Sequence, residues 1–256
     1  MIFFGKLRNF LFPKHVIKDS MDASSFYNKS ASNKRRTLDE GKLDPRNAHN
    51  FIKSVLIKQN VPDKSTVLDL GCGKGGDVFK FYLSGVSLYV GVDTCKNSLE
   101  VCKTRLSKQN NMNYRLVCDT LWSKVGFAKN IDVVSSQFAF HYCFESEECA
   151  QKAVVNVKES LKKDGLFIGT LPISNVSYIK TLVRIPGYEE SFMEPTVDLN
   201  TFEMLLTSNG FAKILLESFP DYYEQASVYE KDLFLKMKAN FFNPSSNYYV
   251  FIFKLL

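Results

Sequence analysis

Two aspartates bracket a run of glycines, and their placing narrows the chemistry. Val67-Leu68-Asp69-Leu70 leads into Gly71-Cys72-Gly73-Lys74-Gly75-Gly76, and Asp77 follows. The spacing Gly71-x-Gly73-x-x-Gly76 satisfies the dinucleotide fingerprint, in which a pyrophosphate rests on backbone N–H groups at a helix N-terminus. Carboxylates at Asp69 and Asp77 would repel that group. They suit a ligand that has no phosphate and carries an ammonium and a sulfonium, S-adenosylmethionine (AdoMet). Asp93 ends a second β-forming run, Leu88-Tyr89-Val90-Gly91-Val92, where an acid accepts from ribose hydroxyls. Asp119, ending Tyr114-Arg115-Leu116-Val117-Cys118, is placed to accept from an adenine amino group. NAD, and an unliganded turn that uses glycine only for its backbone shape, are the alternatives.

The elements that must position these acids follow from periodicity. A helix starts at Pro45, after Asp44 as cap, and carries the apolar stripe Ala48, Phe51, Ile52, Val55, Leu56. Helices are expected over 97–109 and 147–162, the second closed by Lys162-Lys163-Asp164-Gly165. Ile131–Ser136 and Leu166–Leu171 read as further strands. Strands alternating with helices predict an α/β, doubly wound, mostly parallel sheet. Ligands then sit outside the carboxyl ends of its strands, where Asp69, Asp93, Asp119, Phe138, His141 and Pro172 all fall. Residues 173–197, with Pro186, Gly187 and Pro195, read as irregular. A helix over 198–209 and strands over Ala212–Phe219 and Tyr248–Leu255 complete the chain, the two strands forming an antiparallel C-terminal edge.

With 256 residues, 45% of them apolar, the chain can bury one large core. A formal charge of +6 is a modest bias, compatible with an anionic partner. The six cysteines form no CxxC pair and have no ligand-like spacing with the histidines, so free thiols and no metal site are expected. No apolar run reaches membrane-spanning length. Ile2, Phe3, Phe4, Leu7, Phe10 and Leu11 recur near helical spacing among basic residues. A short amphipathic helix is the preferred reading there and a targeting peptide the alternative. Residues 22–44 are polar and basic and read as a loop or arm, able to hold phosphates or simply solvated. The organisation is therefore an N-terminal segment and arm over 1–44 and a catalytic domain over 45–256.

Several longer segments carry a resemblance. Val67–Asp77, Gly91-Val92-Asp93, Arg46–Lys53, Ser135-Ser136-Gln137-Phe138-Ala139-Phe140-His141-Tyr142 and Phe219-Pro220-Asp221-Tyr222-Tyr223-Glu224 occur in this order. Together they resemble the mRNA cap guanine-N7 methyltransferases, from about Tyr27 to the C-terminus. The glycine turn is generic to class I methyltransferases, whereas the Ser-Ser-Gln-Phe and Asp-Tyr-Tyr-Glu segments are far more specific. The resemblance implies a seven-stranded Rossmann-like sheet and transfer of a methyl group from AdoMet to guanine N7. It implies cofactor contacts from Lys53, Asp69, Gly71, Gly73, Asp93, Asp119 and Gln137, with Lys53 on the methionine carboxylate. It implies a cap pocket of His49, Asn50, Phe138, His141, Tyr142, Pro172, Glu194 and Tyr248. The implied partners are 5'-capped RNA and other capping enzymes or RNA polymerase II, with no membrane, for a monomer in the nucleus, or in the cytoplasm if viral.

The chemistry of the methyl acceptor agrees. Guanine N7 has a lone pair and no proton, so no side-chain base is expected and proximity with orientation carries the reaction. Ordinary roles stay open: Phe138 and Tyr248 as core aromatics, His141 as a bonded structural histidine, Glu194 as a solvated acid. Three departures stand out. His49 replaces the family's usual asparagine, Leu121 stands where a polar or aromatic residue is common, with Trp122 beside it, and the stretch between Pro172 and Glu194 is short. An inactive fold that binds capped RNA or activates a partner, and a small-molecule methyltransferase, are the competing readings.

Overall fold

The computed structural model describes residues 21–30, 46–110, 112–123, 127–184, 191–241 and 244–256. The apolar segment over 1–20, the basic residues of the arm beyond residue 30, and Asp44-Pro45 lie outside the described residues.

The stripe predicted after Pro45 forms helix α2 (Arg46–Asn60), and Ala48, Phe51, Ile52, Val55 and Leu56 are all fully buried. It follows the short β1 (Met21–Asp22) and α1 (Ala23–Ser30). Two βα units and a further strand come next: β2 (Thr66–Leu70) with α3 (Val78–Leu83), β3 (Leu88–Asp93) with α4 (Lys96–Leu106), and then β4 (Asn113–Cys118). The chain then crosses to β5 (Ile131–Gln137), a helical turn at Phe140–Glu145, α5 (Glu147–Ser160) and β6 (Leu161–Pro172). These five strands are parallel, in the order β4-β3-β2-β5-β6. The strand order reverses between β2 and β5, which opens a crevice at their carboxyl ends.

The expected antiparallel edge is present, with a particular arrangement. Strand β10 (Tyr248–Leu255) lies between β6 and β9 (Phe211–Ser218) and is antiparallel to both, so β9 is outermost. Helices cover both faces. Helices α2, α3, α4 and α7 (Phe219–Tyr229) close one apolar core; α5 and α6 (Leu199–Ser208) close the other. The short α8 (Lys231–Lys236) follows α7.

Three expectations are corrected. The stretch 173–197 is only partly irregular: within it β7 (Lys180–Arg184) and β8 (Ser191–Pro195) pair antiparallel, and β1 adds to β8 to make a separate three-stranded sheet. Pro186 and Gly187, which read as breaks, fall in the interval between these strands. Residues 22–30 are not a solvated arm. Asp22 accepts from Ser25 N at 2.8 Å and caps α1, whose Phe26 is fully buried and stacks on Phe192 with centroids 4.2 Å apart. One buried ring in a polar stretch leaves no periodic signal. Helix α5 ends at Ser160, and Lys162–Gly165 lie within β6 instead of closing the helix. The register shifts there, and Asp164 takes φ +63°, a left-handed conformation an aspartate tolerates in a bulge.

Phe26→Ala removes the ring that holds α1 on β8, a change that costs about 3–5 kcal/mol in a packed core. Amide exchange measured by mass spectrometry is expected to accelerate over residues 22–30 and 191–195 and to stay unchanged in β2 and β5. Unchanged protection of α1 would show that another contact holds it.

Candidate functional site

The turn after β2 is shaped by what crowds it. Gly71 has φ +77°, and a Cβ there would lie 2.1 Å from Ala139 Cβ, just past β5. Gly73 follows at φ +51°, and its N–H donates to Asp93 Oδ2 at 2.8 Å. Asp93 Oδ1 accepts from Cys95 N at 2.8 Å. Burial pushes the Asp93 carboxyl above its usual range, against the pull of these two N–H groups. Gly76, the third glycine of the fingerprint, has nothing within 4 Å of its missing Cβ and no left-handed φ. It therefore has no close-packing role, and a carboxylate occupies a turn amide that a pyrophosphate would need. The donor set fits a cationic, phosphate-free ligand and not a dinucleotide.

Beneath the turn lies a buried cluster of charge. Asp69 is 3% exposed and accepts from the Tyr89 hydroxyl at 2.7 Å. Burial, then Asp77, raises its carboxyl to about 7, with Tyr89 and Lys53 pulling down. Asp77 takes Lys53 Nζ at 2.9 Å and Lys80 Nζ at 2.7 Å. Burial opposes ionisation of Asp77, yet the two ammoniums bring it down to about 2. Asp77 thus does not face a ligand cation as its position suggested; two lysines neutralise it. Asn50 departs from expectation as well. Its Oδ1 accepts from Lys80 Nζ at 3.4 Å, and it is absent from the cleft wall.

The cleft has a volume of about 690 Å³ and lies over the carboxyl ends of β2, β3 and β5, facing the small sheet and α1. Gly71, Gly73, Asp93, Gln137, Phe138 and Tyr142 line it, as do Leu121 and Trp122 at the point of departure from the family pattern. Gln137 is fixed at both ends, by Ser135 Oγ at 3.2 Å and Thr170 Oγ1 at 3.1 Å. Asp119 accepts from Thr120 N at 2.8 Å, and Thr120 is in the wall. Sequence reasoning missed Tyr27, Thr94, Ser98 and Lys180, which also line the cleft. None stands in a spaced motif, and only the fold brings them to one place.

The far end of the cleft is aromatic. Phe138 has φ +56°, a strained backbone for a bulky residue, pinned by its N–H to Thr170 O at 2.8 Å. Its ring centroid lies 5.5 Å from that of His49, 5.4 Å from Tyr248 and 5.7 Å from Phe219. Lys53 Nζ is 5.9 Å from the same ring. His49 and Tyr248 therefore back Phe138 and do not line the cleft. Pro172 pairs in register with Tyr248.

Beside this cluster the Tyr142 hydroxyl donates to Glu194 on β8. His141 Nε2 is 3.5 Å from the other Glu194 oxygen, an ion-pair distance short of hydrogen-bond geometry, and the imidazole is 2% exposed with neither nitrogen hydrogen-bonded. Burial opposes ionisation of Glu194, yet His141 and Tyr142 hold its carboxyl below the usual range. The Tyr27 hydroxyl lies 3.3 Å from that of Tyr142. Since Tyr142 gives its one proton to Glu194, Tyr27 is the donor in that contact. Glu194 and His141 thus sit one layer behind the wall and act on the cleft through Tyr142.

A parallel sheet of this order, with an antiparallel strand inserted near one end and an acid-flanked turn at the reversal point, has the architecture of the Rossmann-like AdoMet-dependent methyltransferases. Residues 18–193 match the mRNA (guanine-N(7))-methyltransferase domain, and the chain belongs to that family. The mRNA cap guanine-N(7) methyltransferase of Saccharomyces cerevisiae is 34% identical over 174 residues, covering 62% of this chain and 40% of the yeast protein. The mRNA cap guanine-N(7) methyltransferase 1 of Arabidopsis thaliana is 36% identical over 173 residues, covering 60% of this chain and 46% of the plant protein. The chain thus covers less than half the length of either relative. Among solved structures, the 1,6-didemethyltoxoflavin-N1-methyltransferase of Burkholderia thailandensis, with S-adenosylhomocysteine bound, shares the fold at a TM-score of 0.57. Its identity is 15%, over 81% of this chain and 78% of that one.

The raised carboxyl of Asp69 has a consequence for stability. A folded-state pKa above the unfolded value stabilises the fold fully below the unfolded pKa, about 3.9 for aspartate, and that contribution is lost as pH rises through about 7. Asp69→Asn keeps an acceptor for Tyr89 and removes the titration. Its Tm is expected to gain on wild type by several degrees between pH 4 and pH 8, given about 2–4 °C per kcal/mol in a chain of this size. A difference independent of pH would show that Asp69 titrates normally.

Proposed function

We propose that the chain transfers a methyl group from AdoMet to N7 of the guanine cap of RNA, converting GpppN ends to m7GpppN. The observation that carries this reading is a single cleft. It joins a glycine turn, through Gly71 and Gly73 with the carboxylate of Asp93 beside them, to Phe138 and to Tyr142 with Glu194 behind it. The family match and the named activities of the yeast and plant relatives support it.

AdoMet would supply an electrophilic methyl on a sulfonium. Asp93 keeps lone pairs on both oxygens beyond its bonds to Gly73 and Cys95, and these accept from ribose hydroxyls. Asp119, at the end of the neighbouring strand, serves the adenine amino group. Phe138 offers a ring face for the guanine base. The Tyr142 oxygen, whose proton is given to Glu194, accepts from the N1–H and N2–H₂ edge of guanine, and ionised Glu194 stands behind it. Its negative charge also favours the positive charge that develops on the base as N7 is alkylated. No residue has to remove a proton, because N7 carries none. The chain's contribution is alignment of donor and acceptor, which strained Phe138 and fixed Gln137 serve. A nuclear location and association with other capping enzymes accompany this reading.

The test is methyl transfer from labelled AdoMet to GpppA and to m7GpppA. Label is expected in GpppA and not in m7GpppA. Asp93→Ala removes charge-assisted bonds worth about 1.5–3 kcal/mol each, so transfer is expected to fall about 10²-fold or more. Equal labelling of both substrates would move the target off N7. AdoMet binding without transfer to either would favour another substrate.

A further inference from the structure

The cleft wall carries three acids and one cation among the described residues: Asp22, Asp93 and Glu145 against Lys180. That balance suits a sulfonium and disfavours a triphosphate bridge, which carries a negative charge on each phosphate. A substrate of that kind needs a cation released at the cleft. Two of the acids are already committed, Asp22 to Ser25 as the cap of α1 and Asp93 to Gly73 and Cys95. The remaining acid and the cation hold each other. Lys180 Nζ donates to Glu145 Oε1 at 2.7 Å.

This pair has the properties of an exchangeable contact. Lys180 is on β7 of the small sheet, and Glu145 ends the helical turn that follows β5, so the bond joins the two sides of the cleft. The two side chains are 46% and 48% exposed. Ion pairs this exposed contribute little to stability, so breaking one costs little. A phosphate offers the ammonium a charge-assisted bond to a group of higher charge. The buried lysines nearby cannot do this, since Lys53 and Lys80 are both bound to Asp77.

Resting on the reading of the substrate as a capped RNA, we propose that Lys180 binds the triphosphate bridge by exchanging Glu145 for a phosphate. Glu145 is then a resident competitor that lowers affinity for the polyanion. The two members of one salt bridge therefore have opposite effects on binding, a pattern that loss of a purely structural bridge does not produce.

The experiment measures dissociation constants of the full chain for inorganic tripolyphosphate, GpppA and AdoMet, at two salt concentrations. Lys180→Met is expected to weaken tripolyphosphate and GpppA about 10-fold and to reduce the salt dependence by about one phosphate contact. Lys180→Arg should retain binding. Glu145→Gln should tighten both about 3- to 10-fold by freeing Lys180, and AdoMet affinity should stay constant throughout. The proposal is overturned if Lys180→Met and Glu145→Gln shift binding in the same direction, or if neither shifts it. Tripolyphosphate following this pattern while GpppA takes no methyl group would support Lys180 as the phosphate site and count against the cap reading alone. Methyl transfer to GpppA without the pattern would remove Lys180 and leave that reading intact.

Discussion

No side chain fits between Gly71 and Ala139, and the site depends on that contact. The turn leaving β2 and the segment leaving β5 meet there with 2.1 Å between a missing Cβ and a real one. Strands β2 and β5 are neighbours in the sheet, but their exits diverge in sequence, one toward the glycine turn and the other toward the aromatic segment. Packing them this closely puts both exits into one cleft. It also accompanies the strain at Phe138, whose left-handed backbone turns the chain sharply out of β5. A larger residue at position 71 would separate the part of the cleft that suits a cation from the part that suits a flat base.

The charges behind this contact are arranged as a neutral foundation and an acidic front. Asp77, Lys53 and Lys80 satisfy one another beneath the turn, with Asp69 held by Tyr89. Glu194 is stabilised as an anion by His141 and Tyr142 from the other side. Each acid is thus given a different ionisation tendency by its neighbours, Asp69 raised and Asp77 and Glu194 lowered. The two aspartates, identical side chains beneath one turn, are made chemically distinct by burial and pairing.

The main sheet was legible because its signals are local. Apolar runs, the glycine turn and the stripe of α2 each lie within a few consecutive residues, and the structure puts them where periodicity expects. The small sheet and α1 were not legible. Phe26 is buried by Phe192, far away in sequence, and β7 and β8 have no regular alternation to mark them. The same limit applies within the site. Acids at strand ends could be found from position alone, and Asp93 lines the cleft as expected. The diversion of Asp77 to Lys53, and of Asn50 to Lys80, depends on helices α2 and α3 lying side by side, which no spacing reveals. His49 and Tyr248 belong to the cleft only as the layer behind Phe138, a distinction between first contact and support that sequence does not carry.

The position of β10 between β6 and β9 constrains the order in which the sheet can assemble. Strand β9 precedes β10 in the chain, yet β10 supplies its pairing partner in the sheet. Until β10 reaches β6, closing the long loop from Thr170 to Val250, the apolar residues Leu215 and Leu216 have no strand to pair beside. Such non-local pairing slows folding and leaves strand edges open in the meantime. The parallel half of the sheet, which carries the glycine turn and Asp93, can form first from near neighbours. The far half can be completed only after a late, long-range closure, and a partly folded chain would expose its aggregation-prone edge at β9 and not at the cleft.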